Sequence, residues 1–263
     1  MRILLTWLFA PLLTVLVVGC QTGGLAEKYG KTFYLDGAGN WGDGGTSVAH
    51  GLLAAGYQGD VEEYVWTTSF NPLVDQLNVV AARIRSGALA RKISSYRKRF
   101  PNNNVNLVAL SAGTGVATWA VEQLDPSSKI NNLILLGSSL SYDYDMTKAL
   151  SNMTGNIYVY CSPHDSVLES VRKIGTIDGK RGVDSIGYVG LTPPKNLADR
   201  VINTTWSRKW LKYGWAGAHS DCTNAIFVRR ELAKHIVPGL AAHEERITHR
   251  TAGPRRVRTA SLR

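Results

Sequence analysis

The sequence predicts a three-layer α/β domain with a mostly parallel sheet, and three observations carry that prediction. Short apolar, β-branched runs alternate with stretches of helical periodicity from Lys31 to about Ile236. Such alternation implies parallel strand pairing through right-handed crossovers. No internal repeat and no Pro- or Ser-rich linker divides the chain. Its 263 residues, 44% hydrophobic and 19% charged, suffice for one large core, and that balance excludes disorder across the whole chain.

"TFYLD" (Thr32 to Asp36) reads as a buried strand, followed by the glycine-rich loop "GAGNWGDGG". "TSVAHGLLAAG" offers Thr46 as an N-cap and Gly56 as a stop, with apolar residues at helical spacing between them. "VEEYVW" (Val61 to Trp66) predicts the next strand. A single long helix is expected from Val74 to Phe100, with Lys and Arg gathered near its C-terminal end, where positive charge suits the helix dipole. "NVNLVAL" predicts a strand that runs into a small-residue turn at Ser111, and a helix follows from about Gly113 to Gln123. "INNLILLGS" and "NIYVYCS" read as strands with a short helix "MTKALSN" between them. "RVINTTW" is the last candidate strand, and "CTNAIFVRRELAKHI" the closing helix.

The two ends carry different signals. In "MRILLTWLFAPLLTVLVVGC", Arg2 precedes an apolar stretch from Ile3 to Val18, which contains Pro11 and is short for a membrane span. "VVGC" resembles the bacterial lipobox, where cleavage precedes the cysteine that receives the lipid. That resemblance implies a signal peptide over 1–19, palmitate-type lipidation of Cys20, a tether over 20–31 and an extracytoplasmic, membrane-anchored domain. Gln21 would go with outer-membrane sorting and a periplasmic site in a Gram-negative cell. An ordinary signal peptide or short anchor with an incidental Cys20 is the alternative. At the other end, residues 241–263 form a basic tail, with six Arg against two Glu from Glu244 onward. The tail contributes to the formal net charge of +10 and reads as a solvated segment. Nothing points to a nucleic-acid partner.

Gly37-Ala38-Gly39-Asn40-Trp41-Gly42 fits G-x-G-x-x-G after a strand, which alone is a weak dinucleotide signal. The context argues against it. Trp41 to Gly45 intervene before a plausible N-cap, and the acids of the second strand, Glu62 and Glu63, sit at its start rather than its end. A glycine-rich loop there can instead present backbone N–H groups to an oxyanion.

Ser111 decides the functional reading. As a helix N-cap it would be strengthened by Glu or Gln three residues on, yet Thr114 stands there. As a nucleophile it needs an imidazole to take its proton and an acid to orient that imidazole. In chain order, Asp165 follows in "IYVYCSPHDSVL" and His219 in "GWAGAHSDCTN". Ala109-Leu110-Ser111-Ala112-Gly113 resembles the nucleophile elbow of the α/β-hydrolase superfamily of lipases and esterases, with alanine at the first G of G-x-S-x-G. "SPHDSVL" and "GAHSD" resemble its acid and histidine loops, and the likeness in element order spans about Thr32 to Leu240.

The resemblance implies a hydrolase domain over 32–240 without a large cap. Ser111 would be the nucleophile, Asp165 the orienting acid and His219 the general base. Ala112 and Ala38 would be the oxyanion-hole donors, each worth roughly 3 kcal/mol in the transition state. Asp143 and Asp145 are rivals for the acid, and His164, His235, His50, His243 and His249 for the base. Trp41, Trp66 and Phe70 are candidate walls of an apolar pocket. Cys161 and Cys222 lie close in sequence to Asp165 and His219, and the fold that the resemblance implies leaves two readings open: a disulfide tying the two loops, or two buried free thiols. The histidines lack paired metal-ligand spacing and no C-x-x-C occurs, so neither metal nor cofactor is expected. The implied activity is hydrolysis of small-molecule or lipid-like carboxylic esters. A non-catalytic binding module on the same scaffold and an acyltransferase with the same triad are the alternatives.

Overall fold

In the computed structural model, which describes residues 23–67, 69 and 71–240, six strands form one sheet. They are β1 (Lys31–Leu35), β2 (Asp60–Glu63), β3 (Val105–Leu110), β4 (Asn132–Leu136), β5 (Ile157–Cys161) and β6 (Val201–Thr205). Every neighbouring pair is parallel, in the order β2-β1-β3-β4-β5-β6. The helices are α1 (Gly23–Ala26), α2 (Gly44–Ala54), α3 (Pro72–Leu77), α4 (Val79–Arg99), α5 (Gly113–Glu122), α6 (Thr147–Ser151), α7 (Ser166–Ile174), α8 (Ile186–Val189) and α9 (Ala225–Arg230). The expected signal peptide, Cys20, Phe70 and the basic tail lie outside the described residues. Among the described residues, no helix is long and apolar enough to cross a membrane.

Alternate side chains of β1, β3, β4 and β5 enter two separate cores, as the period-2 geometry of a strand dictates. Phe33, Leu35, Leu107, Ala109, Leu133, Leu135, Ile157 and Val159 point to one side, where they meet α4, α5 and α6 through Leu89, Ile93, Val116, Trp119 and Leu150. Tyr34, Val108, Leu110, Ile134, Leu136 and Tyr160 point to the other, against Val48 and Leu52 of α2 and Phe227 and Val228 of α9. Both faces are covered, so the central strands are largely apolar rather than alternating, with Lys31 and Thr32 of β1, Asn106 of β3 and Asn132 of β4 as polar exceptions near their N-terminal ends. The result is the three-layer fold the sequence predicts.

Two predicted helices are broken. The long helix expected over Val74 to Phe100 is interrupted at Asn78, whose φ of −84° and ψ of 67° are not helical and whose side chain caps α4 by accepting from Ala81 N–H. A separate short helix, α3, precedes it, with Asn71 as N-cap and Pro72 in its first turn. The closing helix is split in the same manner. Asn224 caps α9 by accepting from Ile226 N–H, and the chain bends after Arg230 so that Leu232, Ala233 and Ile236 reach the second core.

The order of the sheet sets where function can sit. The chain leaves β1 toward β2 on one side and reaches β3 on the other, so the crossovers diverge at the C-terminal ends of β1 and β3. Ligands of open α/β sheets bind at such a point. Ser111 and the glycine loop of residues 37–40 are the segments that emerge there.

Candidate active site

Ser111 follows the last residue of β3 directly and has a φ of 53°, in the left-handed region that β-carbon-bearing residues avoid. Three backbone hydrogen bonds hold it there. Its N–H donates to Leu136 O (3.0 Å), and its O accepts from Thr114 N–H (3.1 Å) and Ser139 N–H (3.3 Å). The strain presents the side chain at the sheet's edge, and the turn leads at once into α5. Gly113 explains why the third small residue of the elbow must be glycine: a β-carbon on it would lie 2.4 Å from Asp36 O and 2.8 Å from Leu35 O.

Asp165 lies past β5 as the N-cap of α7, and its two carboxylate oxygens divide the work. Oδ1 accepts from Leu168 N–H (3.0 Å), while Oδ2 lies 2.7 Å from His219 Nδ1. A carboxylate only accepts, so Nδ1 carries the proton and Nε2 is left as the basic nitrogen. Asp165 is buried, whereas the His219 side chain keeps 18% of its surface exposed. The pair packs over Gly137 at the end of β4, where a β-carbon would come 3.4 Å from His219 Nδ1 and 3.5 Å from Asp165 Oδ2.

Ser111 and His219 line one cleft of about 590 Å³, together with Asp36, Gly37 and Ala38 of the glycine loop. Its other walls are largely apolar: Trp41, Pro72, Leu73, Val167, Val171 and Ile174. The loop comes close to the nucleophile, since a β-carbon on Gly37 would lie 3.2 Å from Ser111 Cβ and 3.7 Å from Ser111 Oγ. Asp36 is buried and accepts through Oδ1 from Gly37 N–H (2.8 Å) and Tyr34 Oη–H (3.1 Å), and Trp66 Nε1–H donates to its main-chain O (2.8 Å). Among the described residues, neither Ala38 N–H nor Ala112 N–H has a hydrogen-bond partner. Both expected oxyanion donors are therefore uncommitted. A separate cavity of about 610 Å³, lined by Glu169, Arg172 and Tyr188 among others, contains none of these residues.

The rivals are placed elsewhere. Asp143 pairs with Lys180 (2.8 Å) and Asp145 caps Thr147 N–H (2.9 Å). His164 packs edge-on against Trp206, His50 is exposed on α2, and His235 is half-buried against Tyr158 and Tyr160. His243 and His249 lie outside the described residues. Trp41 lines the cleft as expected, while Trp66 is packed beneath it.

The disulfide alternative fails, because Cys161 and Cys222 are both free. The reason lies in the sheet: Cys161 belongs to the core on the α4–α5 side and Cys222 to the core on the α2–α9 side. Proximity in sequence to Asp165 and His219 places them near one site but on opposite faces. Burial pushes both thiols above their ordinary range.

Asp75 and Gln76, two buried polar residues of α3 that no sequence motif singles out, also meet the site, Asp75 through Gly39 N–H and Gln76 in the cleft lining. Asn71-Pro72, an N-cap followed by Pro at N1, is the signal that marks the start of α3.

The six-stranded parallel sheet with helices on both faces and the serine turn after β3 give an α/β-hydrolase-like fold. No protein-family profile matches the chain, and no curated protein matches it. Solved structures overlap it loosely. A Trichoderma reesei cutinase bound to a phosphonate inhibitor is 13% identical, with a TM-score of 0.45 over 80% of this chain and 76% of that chain. A cutinase-like protein from Cryptococcus sp. is 17% identical, with a TM-score of 0.40 over 80% and 94%. An acetylxylan esterase is 12% identical, with a TM-score of 0.42 over 82% and 97%. Overlaps this loose transfer no activity to this chain.

Proposed function

We propose that the protein is a serine hydrolase that cleaves carboxylic esters through an acyl-enzyme. One observation carries the reading: a serine held in a left-handed turn shares a cleft with a histidine whose Nδ1 is 2.7 Å from a buried aspartate. Three side chains and two backbone N–H groups take the roles the reaction needs. Ser111 Oγ attacks the ester carbonyl and its proton passes to His219 Nε2. The carbonyl oxygen, now an oxyanion, is received by Ala38 and Ala112 N–H. The C–O bond to the alcohol then breaks, and the alcohol leaves with the proton from Nε2. Water repeats the sequence on the acyl-enzyme and releases the acid. Asp165 keeps the Nδ1 tautomer and stabilises the imidazolium.

The cleft walls favour an apolar acyl group of small or medium size. The lipobox-like "VVGC" supports anchoring of this domain through Cys20 to a bacterial membrane, with the cleft facing an extracytoplasmic space.

The test is labelling by a fluorophosphonate probe, with Ser111→Ala and His219→Ala variants confirmed as folded alongside. Wild type is expected to label and both variants to lose at least about 1,000-fold in rate. A folded wild type that does not label rejects the hydrolase and leaves the binding-module reading.

A further inference from the structure

Four consecutive backbone N–H groups, from Gly37 to Asn40, line the loop that faces Ser111. Three are spent within the fold. Gly37 N–H donates to Asp36 Oδ1 (2.8 Å), Gly39 N–H to Asp75 Oδ2 (3.1 Å) and Asn40 N–H to Gly37 O (3.2 Å). Ala38 N–H is left between two clamped neighbours. One clamp, Asp36, immediately precedes the loop. The other comes from a different element.

We propose that Asp75 is a positioning residue of the oxyanion hole: by fixing Gly39 from α3 it aims Ala38 N–H at the carbonyl carried by Ser111. The proposal rests on the serine-hydrolase reading above. Asp75 is 2% exposed, and it accepts on both sides. Oδ2 takes Gly39 N–H, while Oδ1 takes Ser69 N–H (3.2 Å) and Ser69 Oγ–H (3.1 Å). A carboxylate suits this position because it offers acceptors in both directions, and hydrogen bonds to an ionised acceptor are shorter and stronger than neutral ones.

Gly39 is the loop's pliable point, and Asp75 removes that pliability. Its φ is +83°, and the next residue, Asn40, holds a φ of 50° despite its side chain. Pro72, from the same helix as Asp75, closes over it so tightly that a β-carbon on Gly39 would lie 2.9 Å from Pro72 Cγ. The helix is itself anchored to the catalytic edge. Gln76 Nε2–H donates to Gly175 O at the end of α7 (3.0 Å), and Gln76 Oε1 accepts from Ser139 Oγ–H in the loop after β4 (3.3 Å). The loop that carries the oxyanion donor is therefore held in register with α7, whose N-cap is Asp165, and with the strand end on which His219 packs. A shift of about 1 Å in such a donor costs about 100-fold in rate.

The experiment is steady-state kinetics on a chromogenic ester with the full chain and the variants Asp75→Ala, Asp75→Asn and Ser69→Ala, together with inhibition by a boronic acid. The boronate forms a tetrahedral adduct on Ser111 and places an oxygen in the oxyanion hole. Asp75→Ala is expected to lower kcat about 100-fold with KM within about twofold, and to weaken boronate binding by the same factor as kcat. Asp75→Asn keeps one carbonyl toward Gly39 and is expected to fall between Ala and wild type. Ser69→Ala leaves the Gly39 bond intact and is expected to stay within about threefold of wild type. If Asp75→Ala does not fold, Asp75→Asn with the boronate carries the test. A folded Asp75 variant with near-wild-type kcat, or with a raised KM alone and unchanged boronate affinity, overturns the positioning role while leaving the hydrolase intact. A wild type inert toward both ester and fluorophosphonate removes both.

Discussion

The φ of 53° at Ser111 is a residue-scale cost that goes with placing Ser111 on the wall of the cleft. A non-glycine residue in this region stores about 1 kcal/mol or more, which the hydrogen bonds to Leu136 O and from Ser139 and Thr114 N–H hold in place. Replacing the side chain separates strain from chemistry. Ser111→Gly is expected to be more stable than Ser111→Ala by about 1 kcal/mol in urea denaturation, with both inactive. Equal stabilities would mean that the turn is not strained. At Asp165 the carboxylate has a second partner in Leu168 N–H, so Asp165→Asn can keep the cap while losing the tautomer control. Its kcat is expected to fall about 10,000-fold with little change in the far-UV spectrum.

Between elements, one junction with no room for a side chain is the one where α5 meets the end of β1. Gly113 lies so close to Asp36 O and Leu35 O that neither backbone can yield. Gly113→Ala is therefore expected to cost about 3 kcal/mol, at the upper end for overpacking, and to displace the loop that carries Ala38. A loss below about 1 kcal/mol, measured by chemical denaturation, would contradict this packing. The break at Asn78 matters at the same scale. It turns α3 away from the axis of α4 and so lets Asp75 and Gln76 reach Gly39, Ser139 and Gly175. One continuous helix could not present α3 in that direction.

Across the whole molecule, the segment after α9 is fastened to the sheet by His235. Its Nε2 lies 3.0 Å from Tyr160 Oη, its ring stacks on Tyr158 at 3.6 Å, and its main-chain O accepts from Asn132 Nδ2–H (2.7 Å). Burial, with the neighbouring Lys234 charge, pushes this imidazole down to about 4. The unfolded chain binds a proton near 6.5, so the folded state is favoured fully above that pH and loses this contribution as the pH falls from 6.5 toward 4. The loss amounts to about 3 kcal/mol at most. Urea denaturation at pH 7.5 and pH 4.5 measures it, and His235→Gln is expected to flatten the difference. The two cores make a second prediction at this scale. In a chain beginning at Gln21, Cys161 and Cys222 are expected to resist a thiol reagent until the protein unfolds, and reductant is expected to leave the melting temperature unchanged. A drop in melting temperature on reduction would restore the disulfide.

Local patterns in the sequence determined much of this protein. The continuous apolar runs mark buried strands, and "ALSAG" marks a turn too crowded for large side chains. The order Ser111, Asp165, His219 marks strand ends on one edge of a parallel sheet. Each is legible because strand burial, turn crowding and strand polarity act over a few residues. The tertiary structure alone decided the rest. A run apolar on both faces does not say which side a residue enters, so the separation of Cys161 from Cys222 depended on sheet register. Asn78 caps one helix and ends another, and its effect shows only in the direction α3 takes. Asp75 reads as an ordinary acid of a helix's first turn until a chain segment 36 residues away brings Gly39 against it. Contacts between distant segments are set by crossover and packing, and no short stretch of sequence contains them.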